Sequence, residues 1–421
     1  MMKYGKLLNE ADMAKARDAF YLLDKNPDGT PRIFFENAGG SLRLKAAADC
    51  FHKLDMIPDC DGRKHPLAVE LKNLVHKAED DVRVIFNVKG GSIATGLTAS
   101  QLMFSMVETV VKNIPGTNVV TTVLEHPSSY DSSEHFAATT GKELRVAPSD
   151  MLTGGCEVDA ICDLIDENTC LLNVMYASNI SGAIMDIPAI VKKARSIKPD
   201  IYITVDAVQH APHAVMDLSE LDIDGINFAP YKFFGVRGFG VAWLSDRLSI
   251  LPHARLTQKP ENFWGLGSDA PAQYAMISSI LDYVCSFADN KNGTRREQFV
   301  EGMTKLELQE RALLHYMLEG TANVPGLRHI EGVTVYNDNP DLTRRDLILA
   351  IGFDNLTPTQ ATAEYVKRGI VVFDRVDTSL YSVRMLHSFG LKGIVRVSPL
   401  HCHNLDEVET YLKVTQELTK L

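Results

Sequence analysis

The chain has 421 residues, 45% hydrophobic and 23% charged, a balance typical of globular proteins and a length beyond what one core usually holds. Its 43 basic and 54 acidic side chains leave a net charge of −11 with no long single-sign run, which argues against nucleic-acid and anionic-membrane partners. No stretch reaches the ~18 apolar residues of a membrane span, and the charged start MMKYGKLLNEADMAKARD is unlike a signal peptide, so a soluble, cytoplasmic protein is expected.

Elements follow in chain order. Segment 99–114, ASQLMFSMVETVVKNI, sets Met103, Met106, Val107, Val110, Val111 and Ile114 on one helical stripe. NVVTTVLEH (118–126), CLLNVMYASN (170–179), IYITVDAVQ (201–209) and GINFAPYK (225–232) read as buried strands, with helical spacing at 158–166 and 188–197 between them. That alternation predicts an α/β fold with a mostly parallel sheet covered on both faces. Segment 273–320 reads as long helices broken near 289–294. Strand patterns at 346–353, 370–373 and 393–399, with helices at 357–369 and 405–418, predict a smaller α+β domain at the C-terminal end. The expected division is a large domain, 31–290, and a small one, 1–30 with 291–421. Cysteines at 50, 60, 156, 162, 170, 285 and 402 form neither a CxxC pair nor a zinc spacing, so reduced thiols and no metal site are expected.

Ligands of open α/β sheets bind beyond the carboxyl ends of the strands. At those ends this sequence sets His126, then Asn179, then Asp206 and Gln209, then Lys232. Taken singly, each has a bland reading: a loop histidine, a turn asparagine, a capped or ion-paired aspartate, a surface lysine. Lys232 is the least bland, because it stands among Tyr231, Phe233 and Phe234 in FAPYKFFGVRGFG. A lysine able to form a Schiff base beside an aspartate able to hold a pyridinium proton is the arrangement of pyridoxal-phosphate enzymes.

VDAVQ, followed 26 residues after its aspartate by YKFFG, resembles the class V aminotransferase and cysteine desulfurase superfamily of fold-type I pyridoxal-phosphate enzymes. The resemblance runs from FFENAGGS (34–41) to IVRVSPLH (394–401), nearest to desulfurase-like proteins that carry YKFFG at the cofactor lysine. It implies that Lys232 holds pyridoxal 5'-phosphate and shuttles the α-proton, that Asp206 pairs with the ring nitrogen, and that Gln209 meets the phenolic oxygen. His126 would stack on the ring. Asn179 would lie near the phenolic oxygen and the substrate carboxylate. Thr98, Ala99 and Ser100, which open the striped helix, would take the phosphate. Ser268, in GLGS, would reach the same phosphate from the partner of a homodimer with shared sites, and Arg396 would bind the α-carboxylate of an amino-acid substrate.

Three features leave choices open. Tyr231 either orients the phosphate or packs. Arg237 either reads a second anionic group on the substrate or pairs with a surface acid. In DGRKHP (61–66), Arg63, Lys64 and His65 read mainly as surface. One departure is definite: FDRVDTSLYSVRMLHSFG (373–390), where desulfurases carry their nucleophile, has no cysteine, and Cys402 lies beyond Arg396. The expected reaction is therefore β-elimination of C–S lyase type without a persulfide, with transamination as the alternative, epimerisation a weaker one, and a catalytically inactive binding relative another.

Overall fold

In a computed structural model the described residues are 2–58 and 62–421; Cys60 and the Asp61 of DGRKHP lie outside them. Seven strands form the large sheet, in the order 92–96, 240–244, 225–228, 202–206, 169–175, 118–122, 143–147. From 225–228 to 143–147 every pairing is parallel, and only Gly240–Leu244 runs antiparallel to its neighbours. Alternate strand residues feed two cores. Val120, Leu172, Ile203 and Ile226 pack with the helices Pro66–Phe86 and Pro271–Cys285, whereas Val119, Leu171 and Ala242 pack with the Met103/Met106/Val110 stripe of the helix Ala99–Asn113. Both faces are covered, as a parallel sheet requires.

The predicted strands run too far. They end at Thr122, Met175, Asp206 and Phe228, and the polar residues placed at their tips, except Asp206, stand on the loops that follow. The edge strands Ser92–Gly96 and Glu143–Ala147, the strand Gly240–Leu244 beside the first of them and the helix Pro66–Phe86 were not read. The expected break at 289–294 separates the helices Pro271–Cys285 and Arg295–Glu319, and Thr294 and Glu297 form a capping box at the second.

A second, antiparallel sheet pairs strands in the order 333–336, 349–353, 393–397, 373–376. Its core gathers Phe35, Leu349, Tyr365, Val395 and Tyr411. Segment 35–38 runs beside the end of the strand carrying Arg396, with Ser398 donating its N–H to the Phe35 carbonyl at 2.7 Å and Asn37 donating to the Ser398 carbonyl at 3.1 Å. Buried side chains tie this region to the loop after Asp206. His213 Nδ1 meets Glu310 Oε2 at 2.7 Å, and His401 N–H donates to Glu310 Oε1 at 3.0 Å.

The antiparallel strand starts on Gly240 for a steric reason. A Cβ there would overlap the Ala99 nitrogen and the Thr98 carbonyl carbon at the start of the striped helix. Overpacking of this kind costs about 1–3 kcal/mol. Gly240→Ala should therefore lower the midpoint of thermal unfolding and, by pushing the helix start out of place, loosen cofactor retention. A variant matching the parent in both would show that the close approach matters little.

Candidate active site

The loops after the parallel strands enclose a cavity of about 310 Å³. Lys232, Asp206, Gln209, His126 and Asn179 all line it, as do Thr98, Ala99, Ser100, Tyr231 and Arg237. Residues scattered over 140 positions of sequence thus converge at one place, on the end of the sheet where the strand directions predict it.

Lys232 sits in a turn held from several sides. Its N–H donates to the Ala229 carbonyl at 2.9 Å, and Gly235 N–H donates to the Pro230 carbonyl at 2.8 Å. Phe233 and Phe234 are buried, and Phe234 packs edge-on against Phe20, Phe233, Tyr283 and His401. The aromatics around the lysine are therefore core, and they anchor its turn. Phe234 adopts a φ of 67°, a left-handed conformation that costs a bulky residue about 1–2 kcal/mol. Ser41 Oγ accepts its N–H at 3.1 Å, and its carbonyl accepts from Leu44 N–H at 2.9 Å, which holds it there.

The Lys232 amine is only 8% exposed and donates to Gln209 Oε1 at 3.1 Å. Burial pulls its pKa down to about 7, and Arg396 and Arg375 add to the drop while Asp206 opposes it. Near neutrality much of the amine is therefore uncharged and nucleophilic. Asp206 is buried as well, which raises its pKa. Its Oδ1 accepts the Val208 N–H at 3.0 Å, and no cationic side chain among the described residues comes within ion-pair distance of it. A buried carboxylate lacking such a partner suits a protonated ring nitrogen brought in by a cofactor.

The helix Ala99–Asn113 begins at the cavity. Thr98 Oγ1 caps it by accepting Gln101 N–H at 3.0 Å, and no acceptor within the described chain takes the N–H groups of Ala99 or Ser100. Asn227 Nδ2 fixes this start by donating to the Ala99 carbonyl at 2.9 Å. A phosphate fits such a terminus. His126 caps the helix Pro127–Thr139, its Nδ1 accepting Ser128 N–H at 3.1 Å. Burial, then the charges of Lys232, Arg375 and Arg384, lower its pKa to about 3, so its ring is neutral.

Arg396 is 2% exposed, and its Nη1 donates to the Asn179 carbonyl at 3.0 Å, which brings it against the cavity wall. Its Nη2 pairs with Glu36 Oε1 at 2.6 Å. Glu36, within the quoted FFENAGGS, carries no role in the sequence reading. No local signal in the sequence could have found it, because its role depends on the pairing of this segment with the chain just after Arg396.

Other expected residues lie differently. Ser268 is exposed in a groove beside the cavity, bounded with it by Leu97 and Phe239. Arg237 is exposed and stacks its guanidinium 4.2 Å from the Tyr231 ring centroid; no ion pair holds it among the described residues. Arg63, Lys64 and His65 are exposed and away from the cavity, and His65 caps the helix Pro66–Phe86. Of the described cysteines none lines the cavity; burial pushes Cys156 up to about 12 and Cys402 well above the ordinary thiol range. Segment 377–382 instead brings Tyr381 to 6.2 Å from His126, ring to ring, and Arg384 donates to the carbonyls of Val123 and Glu125.

Known proteins resemble this chain in sequence and in fold. The family described as Aminotransferase class-V matches residues 34–255. A probable cysteine desulfurase of Streptomyces coelicolor is 25% identical over 77% of this chain and 79% of its own length. An aminotransferase-like protein of Gibberella zeae is 24% identical over 93% and 95%. Among solved structures, a cysteine desulfurase of Thermococcus onnurineus in its apo form superposes with a TM-score of 0.81 at 20% identity, covering 99% of both chains. The Escherichia coli desulfurase CsdA gives 0.79 at 18% identity, again with 99% of both chains covered. These likenesses carry the fold. With a family match over more than half of its length, the chain belongs to the aminotransferase class-V family, and its cofactor is pyridoxal 5'-phosphate.

Proposed function

We propose that the protein eliminates a β-substituent from an amino-acid substrate, in the manner of a C–S lyase and without a protein persulfide. The carrying observation is that a buried lysine and aspartate flank the cavity while no cysteine among the described residues reaches it. When bound, pyridoxal 5'-phosphate supplies an electron sink for charge left at the substrate α-carbon. In this reading Arg396 binds the α-carboxylate, and Lys232 Nζ takes the proton from Cα. Asp206 keeps a proton at the ring nitrogen, Gln209 orients the phenolic oxygen, His126 covers the ring, and the start of the Thr98-capped helix holds the phosphate. Asn179 and Tyr231 complete the walls. The bond from Cβ to its substituent then breaks, the substituent leaving with the electron pair.

The same reading keeps 31–290 as the cofactor domain, and 1–30 with 291–421 as the small domain. Two separate sheets support it, as do the Leu8 N–H bond to Gln309 Oε1 at 2.8 Å and the Arg17–Glu407 pair at 2.7 Å. A homodimer is part of the proposal, because Ser268 lies outside its own chain's cavity yet exposed beside it.

The lysine can be tested by pH. Nζ attacks the cofactor aldehyde only when unprotonated, and its lowered pKa is about 7. Cofactor capture by the cofactor-free protein, followed by stopped-flow absorbance, should speed up with rising pH and level off just above neutrality. A rate still climbing toward pH ~10 would mean an ordinary lysine. Borohydride should then fix the cofactor on Lys232, and an adduct on another lysine would overturn the assignment.

The ring partners separate by magnitude. Asp206→Ala should lower turnover by about a hundredfold or more, since the electron sink needs the ring proton, whereas Gln209→Ala should cost roughly tenfold or less. Comparable losses would mean the two have been exchanged.

The reaction type separates by product. A cysteine-like substrate should yield ammonia, pyruvate and free thiol or sulfide. Replacing all seven cysteines, Cys60 included, should leave turnover within a few-fold of the parent in a folded variant. Alanine formed together with a persulfide would restore a desulfurase mechanism. A reaction halting after one half-turnover until a keto acid is added would identify a transaminase.

A further inference from the structure

The small sheet brings a second arginine to the place where the α-carboxylate is read. Its strands Phe373–Val376 and Gly393–Val397 are antiparallel, with Phe373 opposite Arg396 and Arg375 opposite Ile394. Directly opposed residues share a face, and so do residues two apart on one strand. Arg375 and Arg396 are therefore diagonal neighbours on the same face, their α-carbons about 7–8 Å apart by the ordinary spacing of such pairs. That face looks onto the cavity wall, because Arg396 reaches the Asn179 carbonyl from it.

Arg375 is only 8% exposed, yet its charge has little to meet. One hydrogen bond is made by its guanidinium, from Nη2 to the Tyr381 carbonyl at 2.7 Å, while its Nε is buried with no partner. No ion pair forms at Arg375 among the described residues; Glu36, whose charge favours it, has Oε1 bound to Arg396, and its buried Oε2 has no hydrogen-bond partner and makes no ion pair with Arg375. The other arginine on this side is already engaged, since Arg384 donates to two carbonyls and lies 3.7 Å from the Tyr130 ring centroid. Arg375 does not itself line the cavity; it stands behind the wall that Arg396 reaches, close enough for its charge to be felt at Lys232 and His126. A buried guanidinium with spare donors is costly unless an anion joins it.

We propose that Arg375 reads an anionic group on the substrate side chain, so that the amino acid taken is a dianionic one. This rests on the reading of Arg396 as the α-carboxylate site. Two forks at diagonal spacing suit the two acidic ends of a short amino acid whose β-substituent is itself the second anion, such as a sulfonate that leaves as sulfite with the C–S electron pair. Short dicarboxylates share that charge pattern and serve as binding probes that cannot eliminate. The exposed Arg237, stacked on Tyr231, is the competing cation.

The test uses the holoenzyme and reads binding from the cofactor absorbance, so it needs no turnover. L-aspartate is titrated against L-asparagine, and L-glutamate against L-glutamine, pairs that differ in charge and scarcely in shape. L-cysteate against its neutral sulfonamide, read by stopped flow before turnover, tells a sulfur oxyanion from a carboxylate. In the parent at least one anionic member should bind about 10- to 100-fold more tightly than its neutral counterpart, the range expected of a charge-assisted, bidentate contact. Arg375→Gln should bring that ratio within about threefold while leaving the neutral member's dissociation constant almost unchanged, and Arg375→Lys should fall between. Anionic and neutral members binding alike to the parent would overturn the proposal. So would Arg375→Gln weakening both equally, since the arginine would then only hold the Tyr381 loop, and so would Arg237→Gln collapsing the ratio instead. Arg396→Gln should weaken every amino acid. If it does not, the α-carboxylate reading fails first, an outcome separate from loss of the side-chain preference alone.

Discussion

A lysine amine held dry, with no carboxylate in contact among the described residues, is the constraint around which this site is organised. Water would keep Lys232 protonated and inert toward an aldehyde at neutral pH. Burial and the neighbouring arginines lower its pKa to about 7 instead. That environment has to be enforced, because a long side chain would otherwise turn its head outward. The enforcing element is the Phe233–Phe234 step. Both rings are locked into a core cluster, and the left-handed Phe234 is pinned by the Ser41 hydroxyl. Segment 34–41 thus acts twice, through Ser41 at the lysine turn and through Glu36 at Arg396.

The charges of the cavity form an incomplete set that the reaction partners complete. In the proposed reading the buried Asp206 carboxyl would meet the ring N–H, and the start of the helix capped by Thr98 and the arginines on the opposite side would meet a phosphate and a substrate carboxylate. Lys232 stands between them and contributes little charge of its own near neutrality. The neutral imidazole of His126 fits a place between cations, where a second positive charge would be repelled.

Most of the cofactor side was legible in the sequence, because parallel strands announce themselves as apolar runs and their ends gather in space whatever the loop lengths. Lys232, Asp206, Gln209, His126 and Asn179 needed only that rule and the order of the elements. Strand ends were misjudged, since VLEH and YASN continue the apolar run after the backbone has left the ladder. Gly240–Leu244 and Ser92–Gly96 escaped notice because neither belongs to the strand–helix–strand alternation that marked the parallel strands; they pair antiparallel with each other. The substrate side was legible only through resemblance, and Glu36 and Arg375 not at all. Their meaning depends on the register between Phe373–Val376 and Gly393–Val397 and on a segment more than 300 positions away. A one-residue slip of that register would turn Arg375 to the other face, and no local pattern fixes it.

This division has a chemical consequence. Groups that handle the α-proton and the ring stand on the large parallel sheet, while the two buried arginines stand on the small antiparallel one. Many contacts join them: besides the Arg396 bond to the Asn179 carbonyl and the His213–Glu310–His401 cluster, His210 meets Asp346 at 3.0 Å, Arg384 donates to the Val123 and Glu125 carbonyls, and Leu386, Ile394 and Leu400 share the core under the large sheet. Lys232 and Asp206 stand at the other sheet, so in the proposed reading substitutions on the strand Phe373–Val376 bear on the side chain admitted rather than on the α-proton. Segment 377–382, which has no cysteine, meets His126 through the Tyr381 ring rather than through a thiol, so in the proposed reading the leaving β-substituent finds no sulfur acceptor on this loop.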